Sequence, residues 1–174
     1  QDKKTHEELE LQDKELSTLY DKYKKSEEKY RSLFNNNPNP IFIIDRQTLE
    51  ILDVNHRVEE EYGYTKTELL GTPFLDIGDS SDETVKEALK ELPENKSILF
   101  TKKKHFKKDK SSFFVNVKAV HTTYSHRDVL IASATDITES VEKETQLIQA
   151  GKLATLGTMA AGMAHEINQP LNVI

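Results

Sequence analysis

Seven consecutive residues near the C-terminal end of the chain carry side chains suited to nucleophilic chemistry, and they read His-Glu-Ile-Asn-Gln-Pro-Leu from His165 to Leu171. A neutral imidazole is a nucleophile, and with a reference pKa near 6.5 it is largely neutral at neutral pH. Glu166 can orient the ring or accept the proton on its other nitrogen, which makes the attacking nitrogen more basic. On this spacing alone, however, an exposed histidine on an alanine-rich helix is the favoured interpretation.

Two further residues complete this motif. Gln169 stands where the zinc motif His-Glu-x-x-His needs its second histidine, so no metal site is predicted. Pro170 has no N–H to offer the carbonyl of Glu166, and its ring crowds that turn. We therefore expect the helix to bend just past the histidine, and such a bend is a candidate switch element.

The motif lies on a long predicted helix over residues 139–174. Its apolar residues mostly recur three or four apart, the period of one helix face, at Val141, Ile148, Leu153, Leu156, Ala160, Met163, Ile167 and Leu171. At about 100° per residue, Met163 and Ile167 lie roughly 40° apart, whereas His165 lies roughly 200° from Met163. The imidazole is therefore predicted to point away from the apolar face, where an outside reactant can reach it.

The composition excludes several kinds of function. A net charge of -6 supplies no basic surface for nucleic acid. The absence of cysteine excludes disulfides, thiolate metal sites, cysteine-linked flavin and haem attached through Cys-x-x-Cys-His. No apolar run approaches the roughly 18 to 20 residues that span a bilayer, so we expect a cytoplasmic location, with membrane attachment upstream left open. Because the chain begins at Gln1 and stops at Ile174 inside a predicted helix, we expect a fragment of a longer protein.

A second long helix is predicted at the other end, over residues 1–33. Leucine and tyrosine recur there every seven residues, with further leucines at the alternate core position, at Leu9, Leu16, Tyr23, Tyr30, Leu19 and Leu33. Gln12 and Ser26 occupy other core positions, so the pattern predicts a modest coiled coil that pairs with its own copy. The alternative is a solvated helix that packs on its own domain.

Between the helices, the sequence predicts an α+β domain with a five-stranded antiparallel sheet. Two short strands joined by a hairpin come first, then three short helical pieces, then three long strands. The predicted strands are 41–44, 49–54, 97–106, 112–124 and 129–136, and the helices follow Asn55, open at the capping box from Thr65 to Glu68, and run from about Asp82 to Leu92.

This middle region resembles a PAS domain, over about residues 30 to 138. The resemblance rests on element order and on four short sequences, Asp53-Val54-Asn55, Tyr62-Gly63-Tyr64-Thr65, Glu68-Leu69-Leu70-Gly71 and Asp136-Ile137-Thr138. It implies a sensor whose sheet and small helices can enclose a ligand of unknown identity, and whose flanking helices relay a change. The predicted division is a coiled-coil helix at 1–33, a PAS domain at 34–138 and a signalling helix at 139–174.

The histidines and lysines of this domain carry weaker predictions. His121 is in step with the inward side of its strand, and we expect it to be packed or hydrogen-bonded rather than a ligand. His56, His105 and His126 lie near turns or among polar residues. The oxygen-sensing haem type of PAS domain uses a histidine within 82–92, where this chain has none. The lysines that crowd one hairpin favour a solvated surface, namely Lys102, Lys103, Lys104, Lys107, Lys108 and Lys110.

The stretch from Lys152 to Leu171 resembles the first helix of the dimerisation and phosphotransfer domain of histidine kinases. The histidine, glutamate, proline and leucine of the family's H-box are all present, directly downstream of the PAS-like region. The resemblance implies that His165 accepts a phosphoryl group and that Glu166 assists it. Many members have Thr or Asn where this chain has Gln169, which leaves phosphatase activity open. The combination favours the phosphoacceptor over an ordinary surface histidine.

Taken together, the sequence predicts the sensory and phosphoacceptor fragment of a two-component sensor histidine kinase. The implied partners are a second copy of the chain, an ATP-binding domain of the same protein with Mg²⁺, and a response regulator. The fragment alone is expected to be inactive, since phosphoryl transfer needs that domain. The alternatives are a non-catalytic PAS sensing and dimerisation module with a connector helix, and a small-molecule binding protein with structural coiled coils.

Overall fold

A five-stranded antiparallel sheet forms the centre of the molecule, as the sequence predicts. The computed structural model describes residues 2–171, so the last three residues of the predicted C-terminal helix, 172–174, lie outside it. The sheet order is β2-β1-β5-β4-β3. The strands are β1 (Ile41–Asp45), β2 (Ile51–Val54), β3 (Ser97–Phe106), β4 (Ser112–Tyr124) and β5 (Arg127–Asp136).

Three short α-helices and a 3₁₀ helix connect β2 to β3. They are α2 (His56–Tyr62), α3 (Lys66–Leu69), the 3₁₀ helix (Phe74–Ile77) and α4 (Glu83–Glu91). Asn55 caps the start of α2 and Gly63 ends it at a φ of 78°, a left-handed conformation that glycine adopts without steric penalty. Thr65 and Glu68 form the predicted capping box of α3. The 3₁₀ helix was not predicted from the sequence.

Two long helices of 34 residues flank the sheet, α1 (Asp2–Asn35) and α5 (Thr138–Leu171). Asparagines and two prolines follow α1, and these residues disfavour continued helix. Within residues 2–171, none of the helices is long and apolar enough to cross a membrane.

The strands differ from their predicted ranges at three places, the first being that β1 ends at Asp45 rather than at residue 44. β2 begins at Ile51 rather than Leu49, because Leu49 has a φ of 60° and its N–H bonds to the carbonyl of Asp45 in a tight turn. β5 begins at Arg127, because the β4–β5 turn needs only Ser125 and His126, both at positive φ. Two residues at positive φ match the right-handed twist of the strands they join.

The core lies between one face of the sheet and the short helices. Phe42 on β1 contacts Tyr62 and Phe74 edge-to-face, with ring centroids 5.5 Å and 5.2 Å away. The alternating apolar residues of β4 supply the opposite wall of this core, as their period of two predicts. All three aromatic side chains are buried, so this face of the sheet is fixed by packing.

Candidate sensor cavity and phosphoacceptor helix

A β-bulge in β3 decides which of its residues face the interior. Phe100 pairs with Val117 on β4, but Lys103 pairs with Val115, so two residues of β3 oppose one residue of β4. Lys102, inside the bulge, has a φ of 52°. Before the bulge the even-numbered residues face inward, and after it the odd-numbered residues do. Lys103 and His105 therefore face the interior.

His105 is buried in an aromatic cluster on this inner face, with 6% of its surface exposed. Its Nδ1 lies 2.8 Å from the hydroxyl oxygen of Tyr62. The rings of Tyr62, Phe74 and Phe113 surround the imidazole at centroid distances of 5.9 Å to 6.4 Å. Burial lowers the pKa of His105 to about 4, because the charged ring would lose its hydration.

The sequence-based prediction placed His105 near a turn or among polar residues and missed the burial of its ring, although the strand does end one residue later, at Phe106. In the sequence it follows three lysines and stands out of step with Ile98 and Phe100. The bulge changes which residues of β3 face inward, and no residue type in this stretch indicates a bulge. The one usable signal was the partner strand, because Phe113 pairs with His105 in the sheet and lies on the predicted apolar side of β4.

A cavity of about 410 Å³ opens between β3, α4 and the loop after the 3₁₀ helix. Its wall is mainly apolar, and its polar lining includes His105, Lys103 and Asp82. Lys103 Nζ lies 2.8 Å from the Asp82 carboxylate, and this contact is the main reason that the pKa of Asp82 lies below its usual range. The volume is within the range of roughly 300 to 1,000 Å³ that is usual for small-molecule pockets.

The lysine-rich hairpin is less uniformly solvated than predicted. Lys102 and Lys108 are exposed and pair with carboxylates of other elements, Lys102 with Glu144 on α5 at 2.7 Å and Lys108 with Glu68 at 2.6 Å. Lys102, Lys103 and Lys104 also line the cavity, and of these three Lys103 faces the interior next to His105. The hairpin is thus tied to α5 through Lys102 and to α3 through Lys108.

His121 is buried and hydrogen-bonded. Its Nδ1 donates to the carbonyl of Leu92 at 2.7 Å, and its Nε2 contacts the carboxylate of Asp128. Both ring nitrogens are occupied by protein acceptors, so this histidine closes the end of the sheet and does not line the cavity.

Asn55, within the predicted Asp53-Val54-Asn55 sequence, joins α1 to the domain. Its amide nitrogen donates to the carbonyls of Phe34 and Asn39 at 2.9 Å and 3.0 Å. Its amide oxygen accepts from the N–H groups of Ile41 and Val58 at 2.9 Å and 3.3 Å. Asn55 is fully buried with all four bonds made, so it fixes the end of α1 against the start of the sheet.

The Asp136-Ile137-Thr138 sequence joins the sheet to α5 in a similar way. The Asp136 carboxylate accepts from the N–H of Thr138 at 2.8 Å, and the Thr138 hydroxyl accepts from the N–H of Phe114 on β4 at 3.1 Å. The N–H of Ile137 donates to the Phe114 carbonyl at 2.9 Å. These bonds hold the start of α5 to β4, which lies between β5 and the edge strand β3.

His165 lies on α5 with its side chain exposed, as are those of Met163 and Ile167 on the predicted apolar face. Its Nε2 lies 3.2 Å from the amide nitrogen of Gln169, one turn later. With the amide as donor, Nε2 is the unprotonated nitrogen and carries the nucleophilic lone pair. The sequence-based prediction for Gln169 concerned only phosphatase activity and missed this contact, although an interval of four on a helix brings such side chains together.

Glu166 and Pro170 complete the predicted site. Within the described part of α5, no hydrogen bond joins Glu166 to His165, and the glutamate is exposed beside the histidine. Pro170 lies inside the helix, one residue before its last described residue. The roles of general base and of helix bend therefore stay predictions.

Residues 28–96 match the family of PAS domains. The chain is 28% identical over 136 residues to the signal transduction histidine-protein kinase AtoS of Escherichia coli. This alignment covers 77% of the chain and 22% of AtoS. It is 27% identical over 160 residues to the sensor histidine kinase TmoS of Ectopseudomonas mendocina, and this alignment covers 86% of the chain and 16% of TmoS. The chain thus spans less than a quarter of the length of these two relatives.

Among solved structures, the fold matches the PAS domain of an HTR-like protein from Haloarcula marismortui with a TM-score of 0.64. That alignment has 24% identity and covers 70% of this chain and 99% of the other. The structural match shows the fold, and the two sequence matches are both to histidine kinases. The chain contains a PAS domain and is related in sequence to sensor histidine kinases.

Proposed function

We propose that this chain is the sensory and phosphoacceptor segment of a sensor histidine kinase, in which the PAS domain controls phosphorylation of His165. The observation that supports the proposal most is the placement of His165 on a helix that starts directly at the sheet. The first turn of that helix is bonded to β4 through Ile137 and Thr138. A change in the sheet would therefore act on the helix at its first turn.

The exposed imidazole suits the chemistry. In the proposed step, Nε2 of His165 attacks the γ-phosphorus of ATP, a nitrogen–phosphorus bond forms, the bond to the β–γ bridging oxygen breaks, and ADP leaves. Glu166 holds the Nδ1 proton during the attack, and the Gln169 amide moves away from Nε2. An ATP-binding domain of the same protein supplies the nucleotide with Mg²⁺, which neutralises charge on the phosphates. Because the donor is ATP, the segment acts in the cytoplasm.

The exposed apolar residues of both long helices support a homodimer. On α5 the large apolar side chains Leu147, Ile148, Leu153, Leu156, Met159, Met163 and Ile167 are 52% to 74% exposed. Exposed apolar surface of this extent on one helix marks an interface. We propose that a second copy covers these residues, and that a response regulator then takes the phosphoryl group from His165.

The test is autophosphorylation of the full-length protein with γ-labelled ATP and Mg²⁺. We expect His165→Gln to remove the label, because the amide cannot act as the nucleophile. The matched control is His6→Gln, at an exposed histidine on α1, which should leave labelling unchanged. Label that persists in His165→Gln would sink the assignment, and a wild-type protein that takes up no label would favour the non-catalytic sensing module.

A second measurement addresses Gln169. We expect Gln169→Ala to retain autophosphorylation, because the side chain only contacts the nucleophile and is not consumed. Release of phosphate from the phosphorylated response regulator is then compared between the wild type and this variant. A slower release in Gln169→Ala assigns a phosphatase role to the glutamine, and equal rates exclude one.

A further inference from the structure

One ring nitrogen of His105 faces the cavity without a protein partner. Nδ1 contacts the Tyr62 hydroxyl, but residues 2–171 give Nε2 neither a hydrogen bond nor an ion pair. Gly78 stands beside it, where a Cβ would lie 3.5 Å from Nε2 and 3.1 Å from the neighbouring ring carbon. Glycine at this position therefore leaves the approach to Nε2 open. Both residues line the cavity.

The Tyr62 hydroxyl fixes where the ring proton lies. Tyr62 is fully buried, and His105 is the hydrogen-bond partner of its hydroxyl. A buried hydroxyl hydrogen needs an acceptor, so the O–H donates to Nδ1. A neutral imidazole then carries its proton on Nε2. The lowered pKa of His105 keeps the ring neutral near neutral pH, so the cavity presents an N–H donor.

The remaining walls favour an apolar molecule. The wall is mainly apolar, and its apolar side chains are Phe74, Leu75, Val85, Phe100, Phe106 and Val117. Its charged side chains are Asp79, Asp82, Lys102, Lys103 and Lys104. Lys103, the inward-facing ammonium, is already paired with Asp82. A metal ion is disfavoured because a protonated Nε2 has no free lone pair, and the Lys103 ammonium would repel it.

We propose that the cavity binds a small, largely apolar molecule that presents an oxygen acceptor, a carbonyl or a carboxylate, to the Nε2–H of His105. The inference rests on the proposed sensory role of the PAS domain and is independent of chemistry at His165. A ligand without an acceptor leaves the buried N–H unpaired, which weakens binding by about tenfold or more. The site therefore selects for the oxygen as well as for the apolar body.

The direct test is nuclear magnetic resonance of the 174-residue chain with ¹⁵N-labelled histidine. The probes are acetophenone, benzoate and toluene, which share one aromatic ring and differ in the acceptor. We expect His105 to show the Nε2–H tautomer, and its Nε2 signal to move on addition of acetophenone or benzoate. The preferred probe separates a carbonyl ligand from a carboxylate ligand. Toluene should bind about tenfold more weakly.

Two variants separate the donor from the shape of the site. His105→Phe keeps an aromatic ring but removes the N–H, so the preference for oxygen-bearing probes should disappear. His105→Gln places an amide N–H near the position of Nε2 and should keep that preference. If His105→Phe does not fold, the wild-type tautomer and the Gln variant still decide the question.

Three results would overturn the inference. They are an Nδ1–H tautomer at His105, an Nε2 signal that neither oxygen-bearing probe moves up to its solubility limit, and an unchanged probe preference in folded His105→Phe. Labelling of His165 by ATP is a separate readout. A wild type that shows no preference for the oxygen-bearing probes but is labelled normally would reject this inference alone. A wild type that shows the preference but takes up no label would reject only the phosphoacceptor.

Discussion

The PAS core buries its apolar side chains, whereas the two long helices expose theirs. In the core, Phe42, Ile44 and Leu130 are fully buried, whereas α1 has no buried residue in its described length. On α5, the large apolar side chains are more than half exposed. The core is thus stabilised by its own contacts, and we expect the helices to gain most of their stability from a partner surface.

Polar groups differ between the two regions in the same sense. The core holds Asn55 with four hydrogen bonds at zero exposure. The ion pairs within the helices are exposed pairs one turn apart, such as Lys143 with Glu139 at 2.6 Å, and such pairs contribute about 0.3 to 0.5 kcal/mol each. We expect the positions that connect the two regions to determine how strongly the helices respond to a structural change in the core.

The largest effect should come from truncating a core aromatic. Phe42→Ala removes a fully buried ring that contacts Tyr62 and Phe74, and such changes lower the free energy of unfolding by about 3 to 5 kcal/mol. Urea denaturation followed by circular dichroism measures the loss. If Phe42→Ala lowered the free energy of unfolding by less than about 1 kcal/mol, the core would not be stabilised mainly by its own contacts, and the contrast with the helices would fail.

A change of pH should act on the core through His105. Its pKa is about 4 in the folded chain and near 6.5 when unfolded, so the unfolded chain binds more protons between these values. The free energy of unfolding therefore falls as pH decreases from 6.5 toward 4, by about 3 kcal/mol in total. His105→Gln does not titrate, so its stability should depend less steeply on pH in this window. Equal slopes in urea titrations of the two proteins would contradict the prediction.

Asn55→Ala should produce the next largest effect, at the junction of the two regions. The change leaves the buried N–H of Ile41 and the carbonyls of Phe34 and Asn39 without their partner. We expect a loss of about 2 kcal/mol, with faster hydrogen exchange at residues 34–41 than elsewhere in the core. Uniformly faster exchange over the whole sheet would show that Asn55 supports the core rather than the junction.

The smallest effect on the core should come from the helices. Leu156→Asp places a carboxylate on the exposed apolar face of α5. We expect the dimer to dissociate in sedimentation experiments, while the unfolding of the PAS core changes by less than about 0.5 kcal/mol. The control is Thr158→Asp, at an exposed polar position about 200° around the helix from Leu156. If the wild type were monomeric in sedimentation, the proposal that a second copy covers the apolar residues of both helices would be wrong.

Much of the local structure of the core was readable from the sequence because single residues define it. Asn55 and Gly63 bound α2 in the structure, and Thr65 with Glu68 caps α3. The alternation of Phe113, Val115 and Val117 predicted the inner face of β4 correctly. Pairing of β1 with β5 joins residues about 90 positions apart, and no local pattern specifies which of the strands meet.

The candidate sites differ in the same respect. His165 was identified because its neighbours in the sequence form a recognisable motif and a helix has a fixed period. His105 was not, because its environment comes from Tyr62, Phe74 and Phe113 on other elements, and because the bulge interrupts the period of its own strand. A site built by one helix can be predicted locally, and a site built by several elements cannot.

The bulge in β3 also affects how sequences of this fold should be aligned. A regular strand with this sequence would turn the side chains of Lys102 and Lys104 toward the interior and that of His105 toward solvent, whereas a chain shorter by one residue at the bulge would keep His105 inside. Aligning such a shorter chain without a gap at Thr101 or Lys102 would therefore equate a cavity residue with a solvent-facing one. In comparisons of cavity linings, the placement of one gap determines which side chain is read as the ligand contact.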